Sequence, residues 1–489
     1  MLAEPDALTF CVDGYDPDYP VFGFEAIRDC REEIPALEAL HRLAMVLHDQ
    51  YPWERARTSL KAVSDLEDDD FVVLFAPRSP DVIDFIRRVR SGARPPARPG
   101  PPGDARRPVA PYPPVRVREQ FAVMPRVEAL AVVKGELACT NEDLIRNGAY
   151  SWSPMTAEDI GRKTGIEERR YTERALDEIS LEAAEAALAA AGREAPEIGA
   201  VLFCSCTSTR LIPSVSTWLS GQLGIFQTHA SYDLVAACAG FPYGLGAATR
   251  LLQEVRRPVL VVCAEKFSDK IGAVRPSRMI FGDGAAAIVI APDAEDAPGD
   301  VDVLQTYASG PCTEVNSIIW PNPEFDNDIT VYGPEVRSLA GRYLEQIIGE
   351  LRDLPHPDGA DGALLDAIDL VVPHQANKTM VTELACAAGL TPEQLYFNIE
   401  RVGNVSAASI PLAIHDAVSD GVIDRPMRVF APGFGAGAVG GYAVLRVDPA
   451  VIVMADGEAA AGNGARRAGG TDDPGAGSSS EDVWAAFGD

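Results

Sequence analysis

The chain has 489 residues and a formal net charge of −29. Apolar residues make up 47% of it and charged residues 24%, the balance of a globular chain able to bury one large core or two domains. The negative charge repels phosphate and so disfavours nucleic acid as a partner, and no apolar run reaches the ~20 residues that span a bilayer.

The opening residues, Met1 to Asp6, lack the basic-then-apolar order of a secretory signal. Nine cysteines, an odd number without CxxC spacing, fit reduced thiols, and a cytoplasmic protein is expected. No Cys/His cluster has zinc spacing, so no metal is expected. Residues 1–92 read as a small N-terminal α/β module of unassigned role. Within 25–66, Ile34, Leu37, Leu40, Leu43, Ala44 and Leu47 recur at helical spacing. Phe71 to Phe75 reads as a strand, and Asp81 is placed to cap a further helix. A Pro- and Arg-rich linker follows over 93–114, extended and without a core of its own.

The main core begins near Val115. Ala200 to Cys204 and Pro258 to Cys263 are unbroken apolar runs, the pattern of parallel strands covered on both faces. Glycine-led strands are expected over 280–290 and 438–447. Between the first two runs lies Cys238, where an apolar segment turns through Ala236, Ala237, Ala239 and Gly240 into a helix expected over 240–255. A helix N-terminus aimed at the sulfur favours a thiolate, the form that attacks acyl groups. A free cysteine is otherwise a small buried apolar residue. Two later turns carry polar groups at the ends of apolar segments: His374 in Val371 to Asn377, and Asn404 in Gly403 to Pro411. Catalytic groups of open α/β sheets gather at such ends. After Ala455 the composition turns to Gly, Ala, Ser and Asp, and 450–489 is expected to be a disordered tail.

Five segments stand out in order: "DLVAACAGFPYGL", "MIFGDGAAAIVI", "VVPHQAN", "GNVSAASIPLA" and "GFGAGAVGGYAVLR". Over about two thirds of the chain they resemble the β-ketoacyl-ACP synthase III family of the thiolase superfamily. The resemblance implies a thiolase fold, with duplicated βαβ halves over 115–300 and 301–449 in a five-layer αβαβα sandwich. It places the catalytic triad on Cys238, His374 and Asn404, at the seam between the halves. It implies an acyl transfer to Cys238, then a decarboxylative condensation with a malonyl thioester, in fatty-acid or specialised polyketide synthesis. His374 and Asn404 would stabilise the malonyl oxyanion. The Cys238 N–H and the Gly435-Ala436-Gly437 turn would form a second oxyanion hole, and Phe434 would flank the malonyl site. Partners implied are acyl thioesters, an acyl carrier protein and a second copy of the chain, with no cofactor beyond these substrates.

Departures from the family pattern qualify this. Ala436 stands where the family has glycine, which would strain a left-handed backbone. Ile212 replaces a glutamate that some relatives use as a base, which favours the decarboxylating route, and by resemblance Ile212 reaches the partner's acyl tunnel. Asp159 and Lys163 replace a tryptophan and an arginine that hold coenzyme A, and Thr379 replaces an arginine beside Lys378. Arg275 is retained, and with Lys378 it is a candidate for binding the carrier. Other cations expected near the entrance are Arg162, Lys163, Arg169, Arg170, Lys266, Lys270 and Arg278. Two other readings stay open: transfer of the acyl group to a hydroxyl or amine without a C–C bond, and a silent subunit that only docks carriers.

Overall fold

The computed structural model describes residues 121–146, 156–208, 210–271, 276–295, 297–308, 312–322 and 328–455, together with three short strands nearer the N-terminus. Those strands, β1 (Leu8–Asp13), β2 (Arg57–Ser59) and β3 (Val72–Phe75), pair antiparallel in the order β2-β1-β3. β3 is the strand read at Phe71 to Phe75, and β2 falls inside the 25–66 segment. The helical spacing at 34–47, the helix at Asp81 and the linker at 93–114 lie outside the described residues.

The first half contributes β4 (Pro125–Lys134), β5 (Leu137–Thr140), β6 (Glu168–Tyr171), β7 (Ala200–Cys204), β8 (Ala230–Leu234), β9 (Val259–Glu265) and β10 (Gly284–Pro292). The second contributes β11 (Val301–Ala308), β12 (Ile318–Asn322), β13 (Asp328–Val331), β14 (Leu370–Val371), β15 (Met427–Gly435) and β16 (Val439–Val447), and β17 (Ile452–Met454) follows. Two sheets carry the core, ordered β17-β4-β10-β9-β7-β8 and β11-β16-β15-β14. The expected duplication is visible in the pairing. In β4-β10-β9-β7 the three contacts run antiparallel, antiparallel and parallel. The same succession holds in β11-β16-β15-β14.

Five layers follow from what each sheet buries. Every residue of β7 and of β9 is buried, as their unbroken apolar runs require of strands covered on both faces. Helices Leu176–Ala191 and Val215–Gln222 cover the outer face of the first sheet through Ile179, Ala183, Ala187 and Leu219. Helices Gly333–Asp353 and Lys378–Ala387 cover the outer face of the second through Leu339, Ile347 and Val381. Between the sheets lie helices Gly240–Val255 and Ser409–Ser419, which bury Phe241, Leu245, Ile410 and Leu412 in one central core. Gly240 makes this central layer close enough for chemistry. A Cβ there would stand 2.6 Å from Ala407 Cβ, so only glycine lets the start of one central helix lie against the turn that opens the other.

Two boundaries differ from the sequence reading. The glycine-led strand begins at Gly284 rather than at Ile280. Residues 280–282 instead cross to the second half, where Asn404 N–H donates to Ile280 O and Gly282 N–H to Asn404 O, both at 2.9 Å. The segment 450–489 does not begin as a disordered tail, because Ile452–Met454 adds a parallel strand at the β4 edge. Residues 456–489 lie outside the described residues.

Candidate active site

Cys238 stands in a 3-10 turn, Ala237–Ala239, that passes directly into helix Gly240–Val255. The turn is forced: Ala237 has φ 42°, in the left-handed region that L-residues rarely adopt. Ser406 has φ 44° on the facing turn, and its hydroxyl lies 3.6 Å from the Cys206 sulfur and also favours the charged form of Cys238. Such residues typically cost about 1–3 kcal/mol each and persist where the surroundings over-determine them. Glu265, fully buried at the end of β9, ties down the neighbouring 205–207 segment and reaches the Ser406 turn through the Ala407 N–H at 3.5 Å. Its carboxyl accepts from Thr207 Oγ1 at 2.6 Å, Thr207 N at 3.0 Å, and Ser205 Oγ and Cys206 N at 3.1 Å. Burial raises the Glu265 pKa above the usual carboxylate range.

Cys238 does not rest as the thiolate that a helix N-terminus alone would favour. Cys238 is 7% exposed, and burial pushes its pKa up to about 12. The Ser406 hydroxyl and the cysteine's own N–H pull the other way, and the Glu265 carboxyl adds to the rise. Burial therefore favours the thiol over the thiolate at neutral pH.

His374 follows β14 and is 1% exposed. Its main chain is anchored, N–H to Pro432 O at 2.8 Å, while neither ring nitrogen has a partner. Burial alone drives the imidazole pKa down to about 3, so the ring is neutral, with one N–H donor and one acceptor. Phe434 meets it edge-on, ring centres 6.4 Å apart at 89°. Asn404 is held by its backbone bonds to 280–282, and its Oδ1 accepts the Ser406 N–H at 2.8 Å. That bond identifies the oxygen, so the amide NH₂ is left to donate.

These groups share a wall. An inner cavity of about 120 Å³ is lined by Cys238, His374, Asn404, Phe434, Ser317 and otherwise mostly apolar side chains. An outer cavity of about 670 Å³ is lined by Cys238, Cys206, Ser406, Ala436, Trp320 and Lys270 among others. Cys238, Phe281 and Ile318 belong to both walls. At the end of β15, a Cβ on Gly435 would stand 2.7 Å from Cys238 N, so the strand end rests on the nucleophile's backbone. The Gly437 N–H is taken by Val315 O at 3.1 Å, whereas Ala436 faces the outer cavity. The left-handed positions of that turn are Gly437 and Ala438, not Ala436, so the strain expected at Ala436 is not there.

The remaining candidates fall differently. Lys378 pairs with Glu400 and packs its stem against Gly165. Ile212 is 93% exposed and lines neither cavity, although its neighbour Leu211 lines the outer one. Arg275 lies outside the described residues. Arg169 is no entrance cation: it is fully buried and donates to Cys139 O, Asn141 Oδ1 and Met279 O. Arg162 pairs with Asp159 at 2.6 Å, and Asp159 also accepts from Thr156 in the capping box of helix Ala157–Thr164. Arg170 pairs with Glu168, and Lys270 with Asp269. Sequence reasoning missed Glu265, Cys206, Ser406 and Ser317. Ser406 lay inside a quoted motif and Cys206 just past a strand end, whereas Glu265 and Ser317 carry no local signal.

Comparison with known proteins agrees with this architecture. Residues 232–308 match the family described as 3-oxoacyl-[acyl-carrier-protein (ACP)] synthase III, and 360–447 match its C-terminal family. A β-ketoacyl-[acyl-carrier-protein] synthase III 2 of Vibrio vulnificus is 32% identical over 345 residues, covering 68% of this chain and 92% of the relative. The 3-oxoacyl-[acyl-carrier-protein] synthase III of Aquifex aeolicus superposes with a TM-score of 0.58 at 28% identity, over 66% of this chain and all of that one. The priming β-ketosynthase of the R1128 polyketide biosynthetic pathway gives a TM-score of 0.58 at 27% identity, over 69% of this chain and all of that one.

Proposed function

Because the chain belongs to the 3-oxoacyl-[acyl-carrier-protein] synthase III family, we propose that it joins an acyl group to a malonyl unit through an acyl-Cys238 intermediate. Cys238 sulfur attacks the thioester carbonyl of the acyl donor, the donor's C–S bond breaks, and the proton of the Cys238 thiol leaves on the departing thiol. The malonyl thioester then enters the inner cavity. Its carboxylate–Cα bond breaks, CO₂ departs, and the electron pair forms an enolate with charge on the thioester oxygen. His374 N–H and the Asn404 NH₂ donate to that oxygen. The enolate carbon attacks the acyl-Cys238 carbonyl, held by the Cys238 and Ala436 N–H groups, the C–S bond breaks to release the β-ketoacyl product, and the freed Cys238 thiolate takes up a proton from solvent to restore the thiol.

The observation that carries this reading is the convergence of a cysteine, an asparagine NH₂ and a neutral histidine without partners on one small cavity. Intact mass after incubation with acyl-coenzyme A and acyl-carrier donors should show an acyl adduct that peptide mapping places on Cys238. Release of CO₂ from a malonyl thioester should follow. An adduct that passes to a hydroxyl or amine, without CO₂ release, would establish simple acyl transfer instead.

The proposal extends to partners. An acyl carrier protein delivers the substrates, and a second copy covers the edge strand β8. Near that edge Leu211, Ile212, Phe226 and Val235 are between 76% and 93% exposed, an apolar surface that a monomer would leave in water. Light scattering should give a two-chain particle, and a fully active single chain would refute it. A cytoplasmic location accords with six free thiols among the described residues. No described helix is long and apolar enough to cross a membrane.

A further inference from the structure

One polar group of the inner cavity has no part in the chemistry above. Ser317 lies in the turn between helix Cys312–Val315 and β12. It is fully buried, and its Oγ has no hydrogen-bond partner. Its backbone is tied on both sides, N–H to Glu314 O at 3.2 Å and O to Tyr332 N–H at 2.8 Å, so the turn that carries the hydroxyl is held in place. A buried hydroxyl left unsatisfied is destabilising, and native interiors hold few such groups. Among the described residues five buried side-chain atoms stand without partners, and three of them, Ser317 Oγ and both His374 ring nitrogens, belong to residues that line this one cavity. That concentration marks a place that a polar ligand completes.

We propose that Ser317 is a positioning residue that donates its hydroxyl to the carboxylate of the malonyl extender, an inference that rests on the condensing function proposed above. A malonyl thioester brings two acceptor groups, its thioester oxygen and its carboxylate. His374 and Asn404 serve the first. Ser317 is a third donor from a separate part of the chain, set beside Ile318, Val331 and Leu339. The inner cavity, about 120 Å³, has room for roughly four water-sized groups, the scale of a malonyl head rather than of a long or branched extender.

The chemistry also explains why the donor is a neutral hydroxyl. No charged side chain lines the inner cavity among the described residues. A lysine or arginine there would stabilise the carboxylate of the ground state more than the transition state, in which that charge is moving into the enolate, and so would slow the step. A serine fixes the carboxylate's orientation with one hydrogen bond and releases it as uncharged CO₂ leaves. The apolar walls raise the free energy of the charged carboxylate relative to that product.

The test compares wild type with Ser317→Ala in three measurements: acylation of Cys238 by a starter thioester, KM and kcat with malonyl thioester, and inhibition by the acetyl thioester on the same carrier, which lacks the carboxylate. A hydrogen bond to a charged group predicts a rise in malonyl KM of roughly tenfold to a hundredfold. Acylation and acetyl-thioester inhibition stay unchanged, and the melting temperature does not fall, because the deleted hydroxyl had no partner. An unchanged malonyl KM, or equal weakening of the malonyl and acetyl thioesters, overturns the assignment while leaving the condensing function intact. A wild-type enzyme that acylates Cys238 but releases no CO₂ from malonyl thioester overturns both.

Discussion

Gly435→Ala tests whether the end of β15 sets the position of the nucleophile. The added Cβ would stand 2.7 Å from Cys238 N, 3.0 Å from its Cβ and 3.2 Å from its Cα. None of these is the tip of a flexible side chain, so no rotamer change relieves the contact. The Gly435 backbone is not left-handed, and alanine is conformationally allowed there, so the whole effect is steric. Restoring ordinary carbon contact near 3.5–4.0 Å requires the Cys238 turn or the strand to retreat by on the order of 1 Å. Overpacking of this kind costs about 1–3 kcal/mol of stability. A displacement of about 1 Å at a reacting centre costs on the order of 10²-fold in rate. Single-turnover acylation followed by intact mass should therefore fall about a hundredfold while thermal unfolding stays cooperative. Gly349→Ala, in helix Gly333–Asp353, is the control: its Cβ meets nothing within 4 Å, and it should stabilise by about 0.5–1 kcal/mol without changing acylation. A Gly435→Ala protein that acylates Cys238 at the wild-type rate would show that this contact does not place the sulfur.

Two further outcomes separate the roles of Asn404 and His374. Asn404→Ala should leave acylation of Cys238 intact and lower condensation by about 10²–10³, the usual effect of losing one oxyanion donor; equal loss of both half-reactions would refute the division. Burial holds His374 near pKa 3, against about 6.5 in an unfolded chain, so the unfolded state binds more protons between those values. Stability therefore declines as pH falls through that window, by up to about 1.4 kcal/mol per unit from this group. His374→Gln should remove this part of the slope in denaturant titrations run from pH 7 to 4, and parallel wild-type and variant curves would count against a buried neutral ring.

The parts of the fold that were legible are those whose burial is written locally. β7 and β9 are unbroken apolar runs because both faces of the first sheet are covered, and helix Gly240–Val255 begins where small residues permit a sharp turn. The parts that were not legible depend on distant partners. Ile280 to Gly282 reads as the start of a strand, but its backbone is claimed by Asn404, more than a hundred residues away. Ile452–Met454 is too short to announce itself and becomes a strand only because β4 presents a free edge. Ser317 is invisible for the same reason. Nothing in Glu314-Val315-Asn316-Ser317 distinguishes an ordinary turn serine from a buried one that lines the same cavity as His374 and Asn404.

Cys238 shows how the right local structure can carry the wrong sign. The helix N-terminus inferred from sequence is present, and it favours a thiolate by about 0.3–1 kcal/mol at exposed sites. Burial opposes it and can shift a fully buried group by several pKa units, so desolvation wins and the resting sulfur keeps its proton. That outcome suits the reaction better than a standing thiolate would. Acylation from a thioester exchanges one thiol for another, so the proton lost by Cys238 is taken up by the departing thiol and no permanent base is needed. A charged His374, the partner a standing thiolate would call for, could not keep the low pKa that leaves it a neutral donor for the enolate. One cavity wall thus serves both half-reactions because neither the cysteine nor the histidine is ionised when the substrates arrive.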